Sequence, residues 1–235
     1  MARVLEHREA LRLRKEGKSY SQIKTILGIS KSTLSGWLHK YPLTREQINS
    51  LRGLNEARIE RYRDTMRKKR EERHLRYYNE EEKIWFPFSE RELFIAGLFL
   101  YWGEGGKSSR HVISLNNTDP NVVKFALNWM ISCLHFPREK IKVFLHLYND
   151  MNVEKEIEYW MNELEVERNQ FDKPYIKKST KTSLDQKGFG HGTCGVRFCK
   201  TEIKERLLMD LKAVSDVYSR IQPFFGIMAS VSKAR

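Results

Sequence analysis

The chain has 235 residues, enough for one large domain or two small ones, and 40% of them are hydrophobic, an ordinary share for a protein with a packed core. Its 43 Lys and Arg against 30 Asp and Glu leave a net charge of +13, a field that draws polyanions, nucleic acid ahead of an anionic membrane surface. The charged opening "MARVLEHREALRLRKEG" argues against a secretory leader, and no run approaches the ~18 apolar residues of a membrane span. Three cysteines without framework spacing (Cys133, Cys194, Cys199) point to a reducing cytoplasm, with nucleoid association expected for a DNA-binding chain.

Leu5, Ala10, Leu11 and Leu13 predict a first helix that stops at Gly17. Ser19 or Ser21 is placed to cap a second, with Ile23, Ile26 and Leu27 as its apolar stripe. Gly28 permits a tight turn, and Ser30 caps a third helix from Lys31 to about Lys40, with Leu34, Trp37 and Leu38 inward. Its outward positions are Lys31, Ser32, Thr33, Ser35, Gly36 and His39, small, polar or cationic groups able to reach base edges or phosphates in a major groove. The core of this stretch, "YSQIKTILGISKSTLSGWL", resembles the helix-turn-helix of resolvases and transposases. The resemblance implies double-stranded DNA as the partner of an all-α domain over residues 1–41.

Residues 42–88 carry no visible core and read as a basic helical connector. "NEARIERYRDTMRKKREERHLRYYNEEEK" is a long polar helix whose acids often stand four residues from a base, which supports an exposed helix. Arg67, Lys68 and Arg70 are its expected DNA contacts; a charged, solvated spacer is the alternative. Pro87 breaks the helix, and Ser89 is placed to cap the next one.

Residues 89–235 predict an α+β domain. Ser89 and Glu92 form a capping-box pattern before an apolar run, Leu93–Trp102, that ends in Gly103-Glu104-Gly105-Gly106-Lys107. "RHVISLNNTDP" alternates as a strand, and Asp119-Pro120 opens a helix. A strand over Lys140–Asp150, a helix over "NVEKEIEYWMNELEV", strands at "KPYIKKST" and "GTCGVRFCKT", and a last helix "TEIKERLLMDLKAV" complete the pattern, an antiparallel sheet with covering helices. His146, Tyr148 and Arg197 are either readers of DNA or ordinary sheet residues. His191, Cys194 and Cys199 lack a fourth partner, and the two cysteines fall on opposite strand faces, so no zinc site is expected.

The order helix, Gly-Glu-Gly, strand, Asn-Thr-Asp-Pro, helix over Ser89 to Ala213 resembles the LAGLIDADG homing-endonuclease family. In that family, helices ending in Gly-flanked acids pack in pairs, the acids converge on divalent metal, and a saddle-shaped antiparallel sheet lies in the major groove. On this resemblance Glu104 is the metal ligand and catalytic carboxylate, with Mg²⁺ or another divalent cation as cofactor. A single copy of the motif implies a homodimer with one Glu104 from each subunit, and the apolar run as its seam. The pattern departs from the family in having two more residues between Gly97 and Gly103, which puts Phe99 where a close-packing glycine belongs. On chemical grounds alone, the flanking glycines give clearance for a phosphate, and Lys107 can neutralise transition-state charge. Asn116, Asn117 and Asp119 stand near the same rim, where turn and cap chemistry explains them more simply. The expected function is sequence-specific binding of double-stranded DNA with metal-dependent phosphodiester cleavage. The alternative is a non-catalytic transcription regulator, and a third reading is an accessory protein of a recombinase or transposase.

Overall fold

A computed structural model describes residues 3–51, 54–180 and 190–219, and it mixes α and β. The chain divides into two units, Met1–Pro87 and Phe88–Arg235. The first opens with α1 (Val4–Lys15), α2 (Tyr20–Leu27) and α3 (Lys31–Leu38), a helix-turn-helix-like trio. Ala10, Leu13, Tyr20, Ile23, Ile29, Leu34 and Leu38 form its core. Ser19 caps α2 in a reciprocal box with Gln22, so two otherwise unpaired helix-end donors are satisfied. Gly28 ends α2 at φ +68°, a conformation that costs other residues steric energy. Ser30 then caps α3 by accepting the Thr33 backbone N–H. Leu5 and Ile26, expected in apolar stripes, are exposed. Leu5 lies five residues from Ala10, about 140° round the helix, and so turns away from the shared core.

Residues beyond Pro42, where no core is expected from sequence, in fact carry a small one. Leu43, Ile48 and Ala57 are buried together between α4 (Arg45–Asn49) and α5 (Leu54–Trp85). An ion pair then fastens α5 to the three-helix core. Arg14 and Glu60 are each only 3% exposed and meet at 2.9 Å. Arg14 also donates to the carbonyls of Tyr41 and Lys18, while Glu60 accepts from Arg63 at 2.7 Å. Both guanidinium groups, Arg14 and Arg63, lie over the Tyr20 ring at 4.5 and 4.3 Å. Every charge in the group has a partner, which a buried ion pair requires to survive desolvation. From Lys68 onward α5 is exposed on all sides, as a helix polar on most faces must be.

The second unit contains α6 (Glu90–Glu104), β1 (Val112–Asn117), α7 (Pro120–Ser132), β2 (Lys142–Tyr148), α8 (Val153–Leu164), β3 (Tyr175–Lys177), β4 (Thr193–Cys199) and α9 (Thr201–Tyr218). Its sheet has the order β1-β4-β2-β3. β4 is antiparallel to both β1 and β2, but β3 runs parallel to β2. The fully antiparallel sheet expected from sequence is therefore corrected to a mixed one. The chain leaves β2, crosses along α8 and returns to the same end of the sheet, and a crossover of that length makes the next strand parallel.

Alternation along the strands sends Ile113, Leu115, Val143, Leu145, Leu147, Cys194 and Val196 into the core. Trp129, Met130, Ile157, Trp160 and Leu207 close over them from the helices. On the opposite face Asn116, Phe144, His146, Tyr148 and Arg197 are only half-buried. Helix α6 is not buried all round, as its apolar run suggests. Gly97, Leu98 and Tyr101 face inward, and a Cβ on Gly97 would lie 2.1 Å from the Trp129 indole. That glycine is the site of close approach to α7, within one chain. Ile95, Phe99 and Trp102, at spacing i, i+4, i+7, remain 41, 49 and 41% exposed.

Replacing Arg14 with Ala leaves Glu60 buried with Arg63 alone, and is expected to destabilise the first unit by about 3–5 kcal/mol. Urea unfolding followed by circular dichroism measures the loss.

Candidate nucleic-acid interface and acidic site

The exposed face of α3 carries Lys31, Ser32, Ser35, Gly36 and His39, brought onto one side by helical spacing. Thr33 is half-buried, and its hydroxyl lies 2.9 Å from the Ser30 hydroxyl, so this predicted contact belongs to the helix cap. His39 Nδ1 lies 2.8 Å from the Gly36 carbonyl, which orients the ring at the end of α3. A short polar helix of this kind, with small residues outward, fits a major groove and offers donors to base edges.

Ser35 and His39 also line a cleft between α3 and α5, whose far wall is Arg67, Lys69, Arg70 and Arg73. The three predicted contacts of α5 are not equivalent. Arg67 pairs with Asp64 at 2.6 Å and with Glu71 at 2.9 Å, and Lys68 pairs with Asp64 at 3.0 Å. The Arg67 hydrogen bond, and after it that of Lys68, holds the Asp64 carboxyl below its ordinary value. Arg67 Nε is buried without a partner. Arg70 is exposed, as are Lys69 and Arg73, which sequence reasoning passed over. Their signal was spacing: Met66, Lys69, Arg70 and Arg73 fall at i, i+3, i+4 and i+7, one face of α5.

In the second unit Glu104 is the exposed last residue of α6. A carboxylate there opposes the helix dipole, and the Lys107 ammonium nearby offsets it in part. Lys107 is committed elsewhere as well: it donates to the Trp102 carbonyl at 2.5 Å and stands 5.5 Å from the Tyr101 ring centre. The glycines are not simply clearance around Glu104. Only Gly103 has open space where a Cβ would go. A Cβ on Gly105 would lie 2.2 Å from the Tyr101 ring, and one on Gly106 would lie 2.6 Å from the Ser114 hydroxyl. Gly105 bridges to Leu115, and the Gly106 N–H donates to the Ser114 carbonyl at 2.9 Å, so the loop is stitched along the free edge of β1.

Beneath that loop lies Lys204 of α9, fully buried and missed in the sequence because it stands in an ordinary amphipathic pattern. It donates to the Gly106 carbonyl at 2.5 Å and to the Tyr101 hydroxyl, and Tyr101 donates to the same carbonyl at 2.8 Å. Burial pushes the Tyr101 phenol up to about 12. Burial, and after it the Lys107 charge, holds Lys204 below the ordinary lysine value. The predicted turn residues do cap work: the Asn117 side chain accepts from the Asp119 N–H, and Asp119 accepts from the Asn121 N–H. Among the described residues no group of three His, Cys, Asp or Glu is gathered for a metal ion. His191 instead pairs with Glu156 at 2.7 Å, and Cys194 is buried.

Arg197 is separate from this loop. It sits on the half-open sheet face, paired with Asp172 at 2.7 Å and 5.8 Å from the Phe144 ring centre. Register sets it beside Ser114 on β1 and Lys142 on β2, while His146 stands beside Tyr175. The result is one sheet surface of cations, rings and amides.

Compared with known proteins, residues 1–51 match a family described as a homeodomain-like domain. No curated protein and no solved structure matches the chain. The match and the α1–α3 geometry agree on a helix-turn-helix, a motif that suggests DNA binding. No helix among the described residues is long and apolar enough to cross a membrane.

The lowered Lys204 value has a sign for stability. Between that lowered value and the ordinary one, the unfolded chain holds a proton on this group that the folded unit has released, so stability rises with pH there. Lys204→Met is expected to flatten the rise. Denaturant midpoints of the two proteins from about pH 8 to about pH 9, below the range where Tyr101 titrates in either state, measure it.

Proposed function

We propose that the protein is a sequence-specific binder of double-stranded DNA that acts as a homodimer. The observation that carries the binding is the exposed α3 face (Lys31, Ser32, Ser35, His39) on a segment that matches a homeodomain-like family. The net charge of +13 supports it, since phosphate attraction supplies much of the affinity in such complexes. The half-open sheet face of the second unit, with Arg197, Lys142, His146 and Tyr148, offers a further surface for the duplex.

Dimerisation is supported by the outer face of α6. Phe99 and Trp102 line an apolar groove with Val214 and Tyr218 of α9, and Ile95 extends the same stripe. A second copy of α6, bringing the same self-complementary stripe across a two-fold axis, is the occupant that suits it. This pairing matches the helix seam of the LAGLIDADG-like reading, and it uses Phe99 as a contact where that family has a glycine.

A second reading, metal-dependent strand cleavage, is favoured by where Glu104 stands. It is the exposed end of α6, open to an approaching phosphate, and it lies nine residues from Ile95, about 180° round the helix from the stripe proposed to pair, so that stripe does not itself aim the two carboxylates at each other. Among the described residues no three-ligand cluster is gathered; Glu104 with water and DNA phosphates suits the sparse carboxylate sets of Mg²⁺. Such an ion, when bound, polarises a phosphodiester and lowers the pKa of attached water. The chain's own part is to hold Glu104 at the end of α6, next to the Gly105–Gly106 loop tied to β1 and to Lys204, and to keep Lys107 beside it as a countercharge.

Two experiments test these readings. Ser35→Glu puts an anion on the reading face and is expected to weaken specific duplex binding about tenfold or more in fluorescence anisotropy, whereas unchanged affinity removes α3 as the reader. For the second unit, wild type is expected to sediment as a dimer and to nick or cut a randomised plasmid library with Mg²⁺. Glu104→Gln should remain dimeric and lose cutting, and Phe99→Glu should sediment as a monomer and lose it too. Duplex binding by wild type without any cutting leaves the regulator in place of the nuclease.

A further inference from the structure

The cleft between α3 and α5 has a composition that α3 alone does not explain. Ser35 and His39 form one wall, from the same face of α3 that carries Lys31 and Ser32. The opposite wall is the cationic side of α5. Its internal ion pairs divide that side into two sets. Arg67 and Lys68 are already neutralised by Asp64 and Glu71. Lys69, Arg70 and Arg73 are exposed and lie at i, i+1 and i+4, over about 6 Å of helix axis. Three uncompensated cations so close repel one another and are stabilised by an external anion. Each strand of duplex DNA carries about one phosphate per 3.4 Å of axis, a density close to that of three cations over about 6 Å.

The placement is held rigidly enough to matter. The Arg14–Glu60–Arg63 group, with Tyr20 between the guanidinium planes, fixes α5 to the core of α1 to α3 two to three turns before Lys69. The helix then leaves that core with its basic side facing the reading helix. A duplex seated on α3 thus meets a second, fixed row of charges beside its groove.

We infer that α5 is a fourth helix of the DNA-binding unit, and that Lys69, Arg70 and Arg73 hold backbone phosphates flanking the groove that α3 reads. This rests on the proposal that the unit binds double-stranded DNA, and it extends the binding site beyond the 1–51 segment that matches a known family. Contacts of this kind position the protein and raise affinity for any duplex, without choosing a sequence.

The test is the salt dependence of binding to a labelled duplex, using the full chain. Arg70→Gln with Arg73→Gln should reduce the slope of log affinity against log salt by about 1.8, the value for two lost phosphate contacts. Specific and random duplexes should weaken by the same factor. Arg58→Gln with Arg61→Gln removes equal charge from exposed positions of α5 outside the cleft, and should leave the slope close to wild type. A wild-type slope in the Arg70/Arg73 protein overturns the assignment, and so does an equal fall in the Arg58/Arg61 control, which would mark a diffuse charge effect. Tighter binding to an RNA hairpin than to any DNA duplex overturns it as well. A wild-type chain that binds no duplex at all sinks both this inference and the reading on which it rests, so the two failures are distinguishable.

Discussion

The first unit depends on one buried ion pair, Arg14 with Glu60. Two charges taken from water cost several kcal/mol each unless geometry and further hydrogen bonds repay it. Here the repayment is complete: Arg14 has two carbonyls besides Glu60, Glu60 has Arg63 besides Arg14, and Tyr20 presents its ring to both cations. An apolar contact at the same place would hold α5 but would let it roll. A directional pair fixes which side of α5 faces α3, and so decides which of its many basic residues border the cleft. Gln47 of α4 adds a smaller tie next to Arg14, donating to the Lys15 carbonyl at 3.1 Å.

In the second unit a comparable role falls to Trp129. Its indole sits under α6 against Gly97, donates to the Phe94 carbonyl at 3.3 Å and stacks on Tyr101 at 6.2 Å. That contact fixes the rotation of α6. Gly97 and Tyr101 must face inward, and Ile95, Phe99 and Trp102 consequently face out. Tyr101 passes the constraint on to the Gly-Glu-Gly-Gly loop, because its hydroxyl and Lys204 share the Gly106 carbonyl. Glu104 thus ends α6 just before a loop tied from below, with its own side chain left in solvent. In the proposed function the unpartnered apolar stripe supplies the dimer contact, and the exposed acid at the end of the same helix, on another face, supplies the chemistry.

Much of this was legible in the residues. The caps at Ser19, Ser30 and Ser89, the turn at Gly28 and the helix start at Asp119-Pro120 are local: the caps need a side chain to reach a backbone group two or three positions away, and the turn needs one residue free to take a positive φ. Strand alternation through Ile113 and Leu115, and through Val143, Leu145 and Leu147, is equally local. What was not legible is which of several equivalent neighbours a residue takes, and which partners come from far along the chain. Arg67 and Arg70 look alike in a charged run, yet only Arg67 is paired with both Asp64 and Glu71. Gly105 and Gly106 look like clearance for a ligand, yet their missing Cβ atoms make room for Tyr101 and Ser114. Lys204 looks like one more surface lysine of an amphipathic helix.

The sequence by itself determined the elements, the helix-turn-helix, the basic character and the separation of an all-α segment from an α+β one, because periodicity and capping act within a few residues. Tertiary structure alone decided that β3 runs parallel to β2, that α5 belongs to the first unit, and which face of α6 is left open. Those outcomes are set by crossover length, by a buried charge pair 46 residues apart and by one indole against one glycine. Such long-range contacts choose among arrangements that local rules leave equivalent.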